Sequence, residues 1–376
     1  MRVAVLGGGQ LGRMLALAGI PLGHRFTFLE PSPDPPAGQL GKVLAAPYDD
    51  PGALARIAEA ADVVTYEFEN VPAASAAFLA ARLPVLPPPA ALLATQDRLA
   101  EKRMFRQLGI PTAPFHPVDS PAQLGAALAA TGLPAVIKTR RFGYDGKGQA
   151  VVHSAEEAAS VQASLGPGLL AERFVDFERE LSIVAARGRD GGRVFYPLTE
   201  NHHRDGILRA SRAPAPGVSP ELQAVAEDLA GTVMERLEYA GVLAVELFEA
   251  RGRLLANEVA PRVHNSGHWT LDGADTSQFE NHVRAVTGLP PAAPRMAGPA
   301  AMLNIVGELP DTAAVAAIPG AHLHLYDKVP RPGRKLGHVN ITGGDEAAVG
   351  ETARRVWALL PGEPSGLPAV PSHGWR

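Results

Sequence analysis

Cysteine is absent from the 376-residue sequence, which excludes disulfides, thiolate metal sites and cysteine nucleophiles. No apolar run approaches the length of a membrane span, and no signal-peptide pattern precedes the first strand-like residues. The sequence therefore reads as that of a cytoplasmic protein with no membrane partner. An excess of positive charge is also lacking. The formal net charge is −4, and nothing points to a nucleic-acid partner. What is present is ordinary globular material, 46% hydrophobic and 20% charged, long enough for two or three domains with real cores. Frequent alanine and proline read as a compositional bias that says little about function.

The first informative stretch is GGGQLG, in which Gly7, Gly9 and Gly12 satisfy G-x-G-x-x-G. It follows the apolar run Val3 to Leu6 and opens a helical pattern from Leu11 to Ala18. A second apolar run, Phe26 to Leu29, ends in Glu30. That is close to where a dinucleotide fold keeps the acid that holds a ribose. Alone, the stretch says NAD, but a single glycine fingerprint is weak evidence.

The opening segment alternates strand and helix, with Pro51 starting a helix behind Asp49 and Asp50 and ADVVTYEFE reading as a strand. Such alternation predicts a parallel sheet flanked by helices. AALLATQDRLAEKRMFRQLG predicts one long helix, stopped by Gly109 and Pro111. AVIKT and QAVVH read as strands around the loop RRFGYDGKG, and Ser154 to Glu157 as a capping box. GLLAERFV, ELSIVAAR and RVFYPLT suggest an antiparallel sheet. A helix from about Ser219 to Tyr239 precedes the hairpin VLAVELFEARGRLLANEV, and the stretch Pro290 to Pro299 reads as a linker before a small β-rich tail.

Four places concentrate chemistry. If the hairpin loop is Arg251-Gly252-Arg253, Glu246 lies directly opposite Glu258. Like charges opposed across a ladder repel, and a divalent cation between oxygen ligands, favouring magnesium, removes the repulsion. A two-residue loop would instead put the carboxylates on opposite faces, and solvated strand glutamates are the plainer alternative. The loop after Lys138 suits a phosphate-covering flap, because amides and lysines offset phosphate charge. An ordinary hairpin turn is about as good a reading. NEVAPRVHNSGHW places Asn257, Glu258, Arg262, His264, Asn265, Ser266 and His268 in one short span. That density is unusual for a surface loop, and the Arg262 fork suits a carboxylate or phosphate. YDKVPRPGRKLGH gathers Lys328, Arg331, Arg334 and Lys335 around a Pro-Gly turn, fit for a phosphate monoester or simply a solvated basic loop.

With these motifs in order, the sequence resembles the ATP-grasp ligases and, more narrowly, is similar to the N(5)-carboxyaminoimidazole ribonucleotide synthetases of purine biosynthesis. The resemblance spans essentially the whole chain through GGGQLGRM, TYEFENVP, TQDRLAEK, KTRRFGYDGKGQ, FYPLTENHHRDGIL, NEVAPRVHNSGHWT, YDKVPRPGRKLGH and VNIT. It implies a mixed α/β and α+β architecture, the ATP-grasp fold. A Rossmann-like substrate domain (1–95), an ATP-grasp domain (96–290) and a small β-rich C-terminal domain (291–376) are expected. It also implies an enzyme that uses ATP and Mg2+ to join bicarbonate to the exocyclic amine of 5-aminoimidazole ribonucleotide, acting as a homodimer.

The same resemblance distributes roles. Arg98, Lys138 and the loop Gly143, Tyr144, Asp145, Gly146, Lys147 and Gly148 hold the ATP phosphates. Lys147 stands where some relatives have arginine, which keeps the charge but not a two-pronged contact. Glu172, Arg173, Phe174 and Val175 line the adenine pocket, Glu180 takes the ribose, and His203 and Asn257 also reach the nucleotide. Glu246 and Glu258 carry magnesium. The ribonucleotide lies against Gln10, Leu11, Glu67, Asn265 and Ser266, with its phosphate on Lys328 and Arg334. Arg262, His264, Tyr144, Asp145 and Lys328 are the catalytic set, with Tyr144 or Asp145 accepting the amine proton. On this reading the glycine loop binds the aminoimidazole substrate, no nicotinamide is involved, and Glu30 is merely a strand-end acid.

Bicarbonate is a poor electrophile, so ATP is expected to convert it to carboxyphosphate, with positioning and charge neutralisation as the protein's contribution. A flap that excludes water protects that intermediate. Three rivals stay open at this level. A glycinamide ribonucleotide transformylase shares the architecture but lacks the GYDGKGQ and HNSGHWT wording. A dehydrogenase leaves the paired glutamates without a role, and a non-catalytic regulator does not need so dense a loop around Arg262.

Overall fold

Every residue of β1 (Arg2–Leu6) after the first is buried, because helices cover both faces of the sheet it centres. The computed structural model describes residues 1–143 and 146–363. β1, α1 (Gln10–Gly19), β2 (Arg25–Glu30), β3 (Lys42–Ala45), α2 (Pro51–Ala60) and β4 (Val63–Tyr66) build a parallel four-stranded sheet, ordered β3-β2-β1-β4. Val3 and Val5 face Met14 and Leu15 of α1, while Ala4 and Leu6 face Leu54 and Ile57 of α2. Pro51 and the Asp50 cap start α2 as the sequence indicates, with the Asp50 carboxylate accepting Ala53 N–H at 2.6 Å. The strand read through TYEFE stops at Tyr66. α3 (Ala73–Ala80) and α4 (Pro89–Thr95) complete this part.

The single long helix expected next is two helices. Asp97 caps α5 (Arg98–Gln107) by accepting Leu99 N–H at 2.9 Å and Ala100 N–H at 3.2 Å. A capping aspartate gives the backbone a better partner than a continued helix does. β5 (Phe115–Val118), α6 (Leu124–Thr131), β6 (Ala135–Thr139), β7 (Gln149–Val152), α7 (Ala155–Leu165) and β8 (Leu169–Arg173) form an antiparallel sheet ordered β5-β8-β6-β7. The capping box at α7 is half-formed. Ser154 accepts Glu157 N–H, but the Glu157 carboxylate takes His153 N–H, one residue upstream. Ile137, Leu169 and Ala171 pack among the α6 and α7 side chains. The alternate positions Leu170, Glu172 and Lys138 turn the other way, where Leu99 and Lys102 of α5 meet them.

The rest of the chain contributes β9 (Arg179–Arg187), β10 (Arg193–Phe195), β11 (Thr199–Arg204), β12 (Ile207–Ala213), α8 (Pro220–Arg236), β13 (Gly241–Ala250), β14 (Arg253–Ala260), α9 (Thr270–Gly273), α10 (Gln278–Thr287), β15 (Ala300–Val306), α11 (Thr312–Ala316), β16 (Ala321–Leu325), β17 (Lys335–Thr342) and α12 (Glu346–Trp357). Its nine strands make one sheet, ordered β14-β13-β9-β11-β12-β15-β17-β16, with β10 on β9. Of the three runs expected to share a sheet, GLLAERFV therefore departs: it is β8, in the smaller sheet, while ELSIVAAR and RVF pair as β9 and β10. β15 pairs antiparallel with β12, so the large sheet runs unbroken past the proline-bearing connection. Beyond α12, Glu363 accepts from Arg204 at 2.6 Å and Arg209 at 3.0 Å, bracing the β11–β12 hairpin.

The glycine loop is occupied by the protein itself. Gly9 N–H and Gly12 N–H donate to the two oxygens of Glu67, each at 2.5 Å. Gly8 N–H donates to Glu30 at 3.0 Å, and Tyr48 OH donates to the same carboxylate at 2.8 Å. Glu30 is thus a brace for the loop and more than a strand-end acid. Gly7 has φ +115°, and a Cβ there would collide with Glu67 Cγ. A helix N-terminus that would cradle a dinucleotide pyrophosphate already holds a carboxylate. Calorimetric titration with NAD or NADP is accordingly expected to show no saturable binding, and a saturable isotherm would overturn this account of the loop.

Candidate active site

The β13–β14 hairpin carries the central pair. Its loop has two residues, Arg251 and Gly252, both at positive φ, with Ala250 facing Arg253. The three-residue loop of the sequence reading is therefore corrected. In an unbroken ladder this turn would send the two carboxylates to opposite faces. A bulge intervenes: Leu247 pairs with Ala256 but Glu246 pairs with Glu258, so Asn257 is the extra residue. The facing pair is recovered by a different route from the one the sequence suggested.

Each carboxylate has a nitrogen donor beside it. Arg98 Nη1 lies 2.6 Å from Glu258 Oε2, and its other nitrogen reaches the Gly143 carbonyl at 3.5 Å. His264 Nε2 lies 3.2 Å from Glu246 Oε1. Burial alone would raise the Glu246 carboxyl, but the hydrogen bond from His264, helped by the nearby His203 and Arg98, outweighs it and holds the group below the usual carboxylate range. Among the described residues no three His, Asp or Glu side chains gather for a metal. Magnesium held together with phosphates needs only one or two carboxylates, and two ionisable oxygen groups on one face fit that chemistry.

Several residues expected at the nucleotide meet where the small sheet faces α5 and β14. Lys138 and Lys102 each place Nζ 3.2 Å from Glu172 Oε2, and Lys138 Nζ lies 3.5 Å from Asn257 Oδ1. Burial would raise the Glu172 carboxyl, yet the two lysines bring it to about 2. Burial lowers Lys138, which Glu172 only partly offsets. His203 lies 2.7 Å from Glu180, and although burial opposes its proton, that carboxylate raises its pKa. The Arg173 side chain turns away to the Thr131 carbonyl at 2.7 Å, Phe174 is exposed and Val175 half-buried, so Glu172 is the buried side chain of that run. Gly146, at φ +73°, sits on the β11–β12 turn, where a Cβ would lie 2.7 Å from Gly206 Cα. Gly148 hands its carbonyl to Thr139 N–H at 2.7 Å, and Lys147 is exposed. Tyr144 and Asp145, expected at the reacting centre, lie outside the described residues.

The loop after β14 is held by a chain of hydrogen bonds. Ser211 donates to Asn201 at 2.8 Å, Asn201 to Ser182 at 2.9 Å and Ser182 to Ser266 at 2.7 Å. Ser266 Oγ meets His264 Nδ1 at 2.8 Å. Ser266 accepts from Ser182, so its own proton faces His264 Nδ1, which leaves the imidazole proton on Nε2, toward Glu246. Ser266 is wholly buried and supports His264 from behind. Asn265 and Asn304 exchange side-chain amide bonds at 2.8 and 3.2 Å. Arg262 donates to Glu69 at 2.5 Å, and the charges of Glu258 and Glu67 also act on it. It therefore stands between the paired glutamates and the glycine loop.

On the other side of that loop, Lys328 Nζ donates to Gln10 Oε1. Burial lowers the Lys328 ammonium to about 8, with Glu67 opposing the shift and Arg334, Lys335 and Arg331 adding to it. Arg334 is half-buried and donates to the Val329 carbonyl at 3.1 Å. Leu11 is buried at the start of α1. Glu67 is buried against the loop amides, which offset part of the rise that burial gives its carboxyl.

Glu69 and Lys102 escaped the sequence reading. Lys102 follows Arg98 by one helical turn, so it shares that face of α5, and Glu69 follows Glu67 in TYEFENVP. Both signals lie in motifs already singled out.

Comparison with known proteins gives three family matches: the ATP-grasp domain over residues 103–279, the ribonucleotide synthetase preATP-grasp domain over 1–96, and the phosphoribosylaminoimidazole carboxylase C-terminal domain over 300–352. The chain is 51% identical over 362 residues to the N5-carboxyaminoimidazole ribonucleotide synthase of Pseudomonas aeruginosa, covering 96% of this chain and 99% of that one. The crystal structure of the N5-carboxyaminoimidazole ribonucleotide synthetase from Thermus thermophilus superposes with a TM-score of 0.92 at 54% identity, over 96% and 99% of the two chains. The Aspergillus clavatus enzyme, solved with ADP and 5-aminoimidazole ribonucleotide, gives 0.87 at 31% identity over 95% and 97%. The carboxylate pair between two sheets, the basic flap and the Gln10–Lys328 corner thus belong to an ATP-grasp fold, and this chain is a member of the N5-carboxyaminoimidazole ribonucleotide synthase family of carbon–nitrogen-bond-forming ligases.

Proposed function

We propose that the chain carboxylates the exocyclic amine of 5-aminoimidazole ribonucleotide with bicarbonate, using ATP and passing through carboxyphosphate. The observation that carries this reading is the facing Glu246–Glu258 pair, flanked by Arg98 and Lys138 on one side and by Arg262 and His264 on the other. ATP turnover that requires both the ribonucleotide and bicarbonate is the test. Turnover indifferent to the ribonucleotide would refute it.

In this reading Arg98, Lys138 and the flap from Gly143 to Gly148 neutralise the nucleotide phosphates, and Glu246 with Glu258 hold magnesium. That ion supplies charge to the transferring phosphoryl group when bound. Arg262, kept in place by Glu69, offers donors to bicarbonate and its phosphorylated form. His264 presents Nε2–H toward the same centre. The glycine loop, Gln10 and Glu67 receive the aminoimidazole, while Lys328 and Arg334 take its phosphate. The same reading divides the chain into 1–95, 96–290 and 291–376, with β12 and β15 joining the last two in one sheet. It also gives a cytoplasmic protein and, from family likeness and the exposed Leu17 of α1 with Ile20 just beyond its end, a homodimer.

Glu258→Gln is expected to leave thermal unfolding nearly unchanged and to lower kcat by roughly a hundredfold or more, the scale for removing one electrostatic group from a transition state. Near-normal turnover at ordinary magnesium would remove the pair from the mechanism.

Arg334→Ala is expected to raise KM for the ribonucleotide by roughly ten- to a hundredfold, the range for losing a charged hydrogen bond. KM for ATP stays nearly constant. The opposite pattern would assign the basic turn to the wrong substrate.

Lys328 adds a pH dependence. Its pKa is depressed, so the cation is present below about 8 and lost as the pH rises through that value. KM for the ribonucleotide should climb over that window in the wild type and stay flat in Lys328→Arg, which a pH series of initial rates will show.

A further inference from the structure

One buried ion pair has no part in the steps above. Glu172 is 3% exposed and Lys102 is 2% exposed. Both lysines approach the same carboxylate oxygen, Oε2. The other oxygen, Oε1, is buried and meets no donor among the described residues. An ionised oxygen enclosed without a partner is costly, and a ligand donor is the natural remedy. The lysines are not equivalent. Lys138 also reaches toward Asn257, beside the magnesium carboxylates. The contacts of Lys102 besides Glu172 are with the Ala256 carbonyl, 3.4 Å away inside the packing of α5 on β14.

We propose that Lys102 is a positioning residue, the resident counter-ion of Glu172, which holds the carboxylate with Oε1 bare as an acceptor while Lys138 turns to the nucleotide phosphates. The Lys102–Glu172 pair thereby selects a purine that offers an amino donor, as adenine does at its six-position. The inference rests on the nucleotide-pocket reading above. Guanine presents a carbonyl oxygen at the same place, and two acceptors facing one another in a desolvated site repel. Sites built around a buried polar partner reject the mismatched ligand more strongly than apolar pockets do. With Lys102 gone, Lys138 alone must serve both the carboxylate and the phosphates. Discrimination and phosphate binding then compete for one ammonium.

The test is calorimetric binding of ADP and GDP to the ligand-free protein, with thermal unfolding as a check on folding. The wild type should prefer ADP. Lys102→Met should cut that preference by about tenfold or more, the range for losing a hydrogen bond to a charged group, and Lys102→Arg should restore most of it. If Lys102→Met does not fold, Lys102→Gln, which keeps a neutral donor beside Glu172 but not the counter-charge, is measured in its place and should show the same loss. A folded variant of either kind that keeps the full ADP preference overturns the role of Lys102. A wild type that binds GDP as well as ADP would instead refute the adenine-pocket reading.

Discussion

Two carboxylates face each other across the β13–β14 ladder, and much of the site is arranged around that repulsion. Glu246 and Glu258 are directly paired, an arrangement that destabilises a hairpin unless positive charge is brought to it. Arg98 comes from the first turn of α5, whose start is set by Asp97, and Asp97 is itself gripped by Arg140 at 2.7 Å. His264 comes from the loop after β14, fixed by the serine and asparagine chain that crosses β9, β11 and β12. The pair thus ties a helix, a loop and the large sheet to one point. Two carboxylates on one face are the kind of oxygen donors that a magnesium ion shared with phosphates uses.

The other acids of the site follow the same logic with different partners. Glu172 is balanced by two lysines, Glu69 by Arg262, and Glu67 by the amides of the glycine loop. Buried charges paired in this way add little net stability, since desolvation consumes the attraction. Their value lies in orientation: each carboxylate fixes one cation or one loop in a single geometry. Glu67 shows the functional consequence. By filling the end of α1 it converts a nucleotide-type fingerprint into a rigid, neutralised platform, beside which Lys328 and Gln10 meet.

The C-terminal segment shares in the site through backbone continuity. β15 extends the large sheet from β12, and β17 and β16 extend it further. The turn carrying Lys328 is thereby carried back to α1, and Gln39, from the short turn before β3, donates to Asp327 at 2.6 Å. Arg204 and Arg209 bind Glu363 on either side of the turn on which Gly146 rests. The end of the described chain therefore braces the turn on which Gly146 rests.

Local rules decided what the sequence alone could decide. The parallel opening sheet, the Pro51 start of α2, the strands around the flap, the hairpin and the basic turn each follow from periodicity, caps or turn residues that act over a few positions. The motif wording carried the family, and with it the candidates for the site, because sequence records which side chains a chemistry needs. Tertiary structure decided what depends on partners far along the chain. Asp97 broke one predicted helix into two by finding Arg140. β8 left its expected neighbours because Leu170 and Glu172 pair with Lys138 and Val136 of β6. A bulge at Asn257 cancelled the effect of a two-residue turn, so the glutamates met by a register that no turn rule specifies. Glu67, distant from Gly9 and Gly12 in sequence, occupies the amides of the glycine loop, since only the folded chain brings that carboxylate to them.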